Sequence, residues 1–106
     1  MSGSSDWIRV ASTSDAADGE AIGVEIMGLN LALYHVGGEW FCTDNVCTHA
    51  FALLVDGWLE GHVIECPLHA GQFDIRTGKG LGEPIETDLQ TFAVRVEGDA
   101  VMIALP

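Results

Sequence analysis

Positive charge is what this sequence has least of. Lysine and arginine number 4 against 16 aspartates and glutamates, a net charge of −12 over 106 residues. Phosphate backbones would be repelled, which argues against a nucleic-acid partner, and an anionic membrane surface is disfavoured on the same ground. The charge favours a partner with a basic docking face, approached by electrostatic steering and slowed by salt. It also serves solubility, and the sequence leaves both readings open. Self-repulsion of this size favours a monomer. No stretch approaches the roughly 20 apolar residues of a membrane span. Met1–Asp6 is polar and lacks an apolar run, so no secretory signal and a cytoplasmic location are expected. Cysteines number 3, and two of them fall in a motif described below; Cys42 then has no partner, so a disulfide is not expected. Sustained helical periodicity is missing, with one weak turn at Ser14–Gly19. Missing too are a Ser/His/Asp arrangement, a phosphate-binding glycine motif and a two-histidine-one-carboxylate iron triad, so the chain is not expected to be an enzyme by itself.

What is present reads as one all-β domain, near the commonest domain size, with 48% hydrophobic content to build its core. Ile22, Val24 and Ile26 alternate with Gly23 and Glu25. After a turn at Gly28-Leu29-Asn30, Leu31 and Leu33 continue the period of two. Gly37-Gly38 joins Leu33–Val36 to Trp40–Thr43 as a hairpin. Phe92, Val94 and Val96 alternate with Ala93 and Arg95, and Gly98-Asp99 turns the chain into Val101, Ile103 and Leu105. The middle has a different texture, glycine-rich with hairpin signals at Leu59–Val63 and at Thr77–Gly80. The expected architecture is an antiparallel β-sandwich, its base built from about 6–43 and 85–106. A smaller ligand-bearing subdomain, about 44–84, is inserted between the two halves of the base. Loops held by such a scaffold are where binding chemistry sits.

Four residues concentrate that chemistry: Cys47, His49, Cys66 and His69, reading C-T-H and then C-P-L-H. Each short loop offers one soft sulfur and one nitrogen. That donor set suits a two-iron cluster with one iron held by two cysteines and the other by two histidines. A Cys2His2 zinc site is the rival, although structural zinc sites more often pair C-x2-4-C with H-x3-5-H, and neither spacing occurs here. His35 and His62 have no ligand-like neighbours and read as strand residues. Trp40 and Trp58 read as packing residues.

The two loops resemble those of Rieske-type ferredoxins, and in particular the ferredoxin components of bacterial aromatic-ring-hydroxylating dioxygenases. The resemblance covers nearly the whole chain. It extends over Cys66–Lys79, over the Asp56-Gly-Trp-Leu-Glu-Gly61 hairpin and over the closing strands from Leu89 to Asp99. It implies a Rieske [2Fe-2S] cluster, with Cys47 and Cys66 as thiolate ligands of one iron and His49 and His69 as ligands of the other, through Nδ1. It implies a one-electron shuttle from an NAD(P)H-dependent flavoprotein ferredoxin reductase to a terminal Rieske oxygenase. Small residues such as Ala70 and Gly71 would let backbone N–H groups reach the sulfurs. Pro84 stands where the family has a proline loop over the cluster, and it reads equally as a strand-end proline. A Rieske-like small subunit of another reductase, of the nitrite-reductase type, is the alternative; a zinc-bound structural module is a further one.

High-potential members of respiratory complexes add a cysteine to each loop, where this chain has Ala52 and Leu68, and place serine and tyrosine where it has Gly71 and Phe73. Ala50–Leu54 is unusually apolar. Phe51 and Leu53 read first as subdomain core; the sharper reading makes them, with Pro67 and Leu68, an apolar docking rim. Fewer hydrogen bonds to sulfur leave the reduced, more negative cluster less stabilised. The midpoint potential is expected in the lower half of the roughly −150 to +300 mV Rieske range; a clearly positive value in a redox titration of the purified protein would overturn this.

Overall fold

The computed structural model describes residues 6–48, 51–68, 70–83, 85 and 87–105. Among these, ten strands form: β1 (Trp7–Ser12), β2 (Glu20–Ile26), β3 (Leu29–Val36), β4 (Glu39–Asp44), β5 (Trp58–Glu60), β6 (Val63–Glu65), β7 (Gln72–Asp74), β8 (Thr91–Phe92), β9 (Val94–Glu97) and β10 (Ala100–Ala104). They pair antiparallel in three sheets, ordered β1-β10-β9, β2-β3-β4-β8 and β5-β6-β7. The all-β sandwich read from the alternation is what the chain builds.

Two-residue turns account for the long hairpins. Gly37 and Gly38, both at positive φ (61° and 80°), join β3 to β4 as a turn whose twist matches the strands. Asp18 caps it, accepting hydrogen bonds from the N–H groups of Gly37 and Gly38 at 3.0 and 3.2 Å. The β2–β3 turn is Met27-Gly28, not Gly28–Asn30: Met27 takes φ 50°, and Leu29 already pairs with Ile26. Strand pairing overrides the turn preference of Asn30, which is drawn into the ladder opposite Glu25. The helical turn expected over Ser14–Gly19 shrinks to a 3₁₀ turn, Thr13–Asp15, where the Ser12 N–H donates to Asp15 Oδ2 at 2.8 Å.

The run Phe92–Val96, read as one strand, is broken at Ala93. Phe92 pairs with Cys42 in the four-stranded sheet, whereas Val94 pairs with Ile103 in the three-stranded sheet of β1, β9 and β10. One extended segment thus staples the two sheets of the sandwich together, and a period of two cannot reveal which partner each half takes. Between these sheets lies the first core: Ala11, Leu31, Leu33, Cys42, Phe92, Val101 and Ile103. Irregular pairing between Arg9 and Ala11 lets both Val10 and Ala11 turn towards it. Cys42 is an inert member, its thiol pushed up to about 12 by burial and then by the Asp44 charge.

Successive residues of β3 point to opposite faces, yet Leu31, Ala32, Leu33 and Tyr34 are all fully buried. Leu31 and Leu33 serve the sandwich core. Ala32 and Tyr34 serve a second core with Leu54, Ile64, Phe73, Ile75, Leu89 and the cysteines Cys47 and Cys66. The β5-β6-β7 sheet and its loops therefore lie on the outer face of the four-stranded sheet. Tyr34 Oη lies 2.9 Å from Thr43 Oγ1; because Thr43 gives its own proton to the Asp44 carbonyl at 2.8 Å, the phenol donates to Thr43. Burial raises the phenol pKa further, so Tyr34 stays a neutral anchor.

Met27 is 74% exposed and makes its left-handed backbone without help from its side chain. Met27→Asn, which tolerates that conformation, is expected to raise stability by about 1 kcal/mol, measured as a shift in the urea midpoint at unchanged slope.

Candidate metal centre

The first ligand loop begins where β4 ends, and a buried asparagine sets its direction. The Asn45 N–H donates to the Asn30 carbonyl at 3.0 Å, and its Nδ2 donates to Asn30 Oδ1 at 3.0 Å. Its Oδ1 accepts from the Val55 N–H at 3.1 Å, and its carbonyl accepts from the Leu54 N–H at 2.7 Å. Gly23 lies alongside this network: a Cβ there would come into van der Waals contact with Asn45 Nδ2 and Val55. A Val46–Leu53 bridge continues the pairing, and the Cys47 N–H donates to the Ala52 carbonyl at 2.9 Å.

The second loop repeats the device. Cys66 follows β6, and its N–H donates to the Gly71 carbonyl at 2.7 Å, just before β7 begins. In both loops a cysteine N–H is bonded to the carbonyl five residues on, so each cysteine sits at the base of a small hairpin tip. Ala70 turns this second tip at φ 58°, a left-handed conformation in which its Cβ crowds the backbone and which glycine would adopt without that cost. A third segment closes from the side. The Gly80 N–H donates to Asp88 Oδ1 at 2.8 Å, and the Thr48 hydroxyl donates to the Thr87 carbonyl at 2.6 Å. Ile85 lies against Gly71 and Gly80 so closely that a Cβ on either glycine would collide with it. Contact rather than turn geometry favours glycine here, most firmly at Gly80, which faces Ile85 Cβ and Cγ2, whereas Gly71 meets the movable Cδ1 end.

Cys47 and Cys66 come together at this junction. They are 4% and 0% exposed, share one core and are free thiols whose sulfurs meet. Burial pushes the Cys66 thiol up from its ordinary value, while the Leu68 N–H, donating to its sulfur, pulls it down. Two buried sulfurs side by side, one already receiving a backbone N–H, can serve together as donors to a thiophilic metal centre. The expected absence of a disulfide holds: Cys42, Cys47 and Cys66 are all free. His49 and His69, the other two predicted ligands, lie outside the described residues, as does Pro84. Among the described residues, no group of three or more His, Cys, Asp or Glu side chains offers a rival metal site.

Phe51 is fully exposed (102%) and Leu53 is 37% exposed, so neither is core. The core under this loop is filled by Leu54, with Ala52 and Val55 packed against it, and the hairpin tip carries Phe51 outward. With Val46, Leu68 and Leu81 also exposed, each of the three segments at the junction presents apolar side chains to solvent. Trp58 is 62% exposed and is not a packing residue, because its strand turns Leu59 inward instead. His62 sits in the β5–β6 turn, edge-on to Phe41, and not in a strand. His35 is a strand residue as read, stacked on Trp40, with Nδ1 at 2.9 Å from the Ala16 carbonyl. The Thr77–Gly80 signal marks a turn, but the returning strand is reduced to a single bridge between Gly80 and Phe73. The role of Asn45 emerges only from its contacts; its one trace in the sequence is a polar residue soon after a strand and just before the C-T-H motif.

Comparison with known proteins places these observations. A family model described as the Rieske [2Fe-2S] domain matches residues 6–93. The ferredoxin component of a naphthalene 1,2-dioxygenase system from Pseudomonas putida is 48% identical over 99 residues, covering 93% of this chain and 95% of that one. The solved structure of a Sphingomonas yanoikuyae B1 ferredoxin superposes with a TM-score of 0.90 at 40% identity, covering 95% of this chain and 100% of that one. A ferredoxin solved in complex with the oxygenase of carbazole 1,9a-dioxygenase gives a TM-score of 0.87 at 38% identity, covering 92% of each chain.

Asn45→Ala removes two side-chain hydrogen bonds and leaves the Val55 N–H unpaired. It is expected to cost about 2 kcal/mol in urea denaturation and to speed loss of the metal centre's colour under chelator.

Proposed function

The chain belongs to the Rieske [2Fe-2S] domain family, and on that premise we propose that it is the ferredoxin of an aromatic-ring-hydroxylating dioxygenase system, a one-electron carrier and not itself a catalyst. The observation that carries this reading is identity of 48% to such a ferredoxin component along nearly the full length of both chains. The cofactor is a Rieske-type [2Fe-2S] cluster. In our reading Cys47 and Cys66 hold one iron as thiolates, and His49 and His69 hold the other. Residues about 44–84 form the cluster-binding insert, and about 6–43 with 85–106 form the base. Bound there, the cluster supplies one reversible electron at a potential raised by its two neutral nitrogen ligands.

The chain's own residues do the rest. Tyr34, Leu54, Ile64 and Phe73 wall the cysteines off from water on the inner side. The Leu68 N–H stabilises charge on Cys66 sulfur. Outward, Phe51, Leu68 and Leu81 offer a water-excluding rim at which a partner can approach closely. The partners are a flavoprotein reductase that gives the electron and a terminal oxygenase that takes it. With −12 of charge the protein repels copies of itself and suits transient contact with basic faces, consistent with a cytoplasmic monomer. Among the described residues, no helix is long and apolar enough to cross a membrane.

The reading is tested by the absorption and electron paramagnetic resonance spectra before and after dithionite. A rhombic signal with average g below the free-electron value, appearing only on reduction, is the expected result. A colourless protein holding stoichiometric zinc, even after anaerobic iron–sulfur reconstitution, would overturn it. Leu68→Glu is expected to slow electron delivery to the oxygenase by roughly tenfold with both spectra unchanged; unaltered kinetics would remove this loop from the docking rim.

A further inference from the structure

The face of the β5-β6-β7 sheet turned away from the core carries an exposed aromatic ring between carboxylates. Pairing sets Trp58 opposite Glu65, Glu60 opposite Val63, and Glu65 opposite Gln72, so these side chains share the outer face while Leu59, Ile64 and Phe73 pack inward. Trp58, Glu60, Val63, Glu65 and Gln72 line a groove of about 290 Å³. The Gln72 amide donates to Glu65 Oε1 at 3.0 Å and holds that carboxylate over the sheet. Among the described residues, neither Glu60 nor Glu65 takes part in an ion pair.

Elsewhere the same chain shows this arrangement filled. The Arg95 guanidinium lies 4.3 Å from the centroid of the Trp7 ring and is bonded to Glu97 at 2.7 Å. An aromatic face with a flanking carboxylate thus already holds an arginine once in this fold. Trp58, with two carboxylates beside it, is the counterpart with no cation stacked on it among the described residues; Arg76, near the same face, is held instead by Asp74 opposite Val63. The groove also adjoins the metal centre along the chain, since Glu65 precedes Cys66 and Gln72 follows Gly71. A group seated there would hold a partner in register beside the second ligand loop.

We propose that this groove receives an arginine of the terminal oxygenase, its guanidinium stacked on Trp58 and bonded to Glu60 and Glu65. The inference rests on the electron-carrier reading above. A planar cation fits the site on both counts, by attraction to the indole face and by charge-assisted bonds to carboxylates. The oxygenase is the partner chosen because a similar ferredoxin, 38% identical, has been solved in complex with one.

The test follows two half-reactions of the cluster-loaded protein with the components of a naphthalene 1,2-dioxygenase system. One is its reduction by the reductase; the other is electron delivery to the oxygenase. Wild type, Trp58→Ala, Trp58→Phe and the double variant Glu60→Gln/Glu65→Gln are compared at low and high salt. Trp58→Ala and the double variant are expected to keep the cluster spectra and the rate of reduction. The oxygenase concentration giving half-maximal delivery should rise about tenfold at low salt, with Trp58→Phe keeping part of the wild-type affinity. The penalty of the double variant should fade at high salt, where wild type has itself lost the charge term. Unchanged half-saturation overturns the inference, and so does a defect confined to reduction by the reductase. Wild-type protein that is reduced but delivers no electron to the oxygenase overturns the carrier reading and this inference with it.

Discussion

Burial of one strand on both faces is the constraint on which this molecule depends. From Leu31 to Tyr34, β3 has no residue in water. Its odd positions close the sandwich, and its even positions form the floor beneath the two cysteines. Each buried aliphatic side chain contributes on the order of 1.5–3 kcal/mol, so the strand ties the stability of the scaffold to the order of the metal centre. Polar residues reinforce the same junction. Tyr34 bonds to Thr43 across β3 and β4, and Asn45 locks the start of the first loop to Asn30 and Val55. A fault in this strand would loosen both cores together.

Above that floor, two hairpin tips of like construction bring one cysteine each to a common point. Closing each tip by the cysteine's own N–H leaves the sulfur facing inward and the outer residues of the loop free to meet solvent. The division of labour follows from it. The Cys47 and Cys66 sulfurs are buried, and the Leu68 N–H donates to that of Cys66. The exposed Phe51 and Leu68 give a small apolar contact area, surrounded by a surface whose long-range field is negative. Weak contact with strong steering suits a carrier that must leave one partner before meeting the next.

The sequence and the tertiary structure contributed at different scales. Alternation at Ile22–Ile26, the Gly37-Gly38 turn and the C-T-H and C-P-L-H spacings are local signals, and they sufficed for an all-β scaffold carrying paired ligand loops. Resemblance to a known family then supplied the cofactor. Phe51 shows the limit of such signals. Its apolar neighbours made it look like core, yet it stands in solvent at a tip whose orientation is set by Asn45 and the Val46–Leu53 bridge, both of them pairings. Trp58 is exposed for the same reason: hydrophobicity says that a ring prefers burial, not which side of a three-residue strand the core will occupy.

By itself the sequence determined the all-β class, the central hairpin strands and turn positions to within a residue or two, because period and glycine placement are properties of neighbouring residues. Only the tertiary structure decided that β3 is buried twice, that the run through Ala93 changes sheets, and that Ile85 closes on Gly71 and Gly80. Those outcomes depend on which distant surfaces meet. Side-chain direction alternates along a strand wherever it lies, and packing between segments far apart in the chain chooses which of its two faces remain in water.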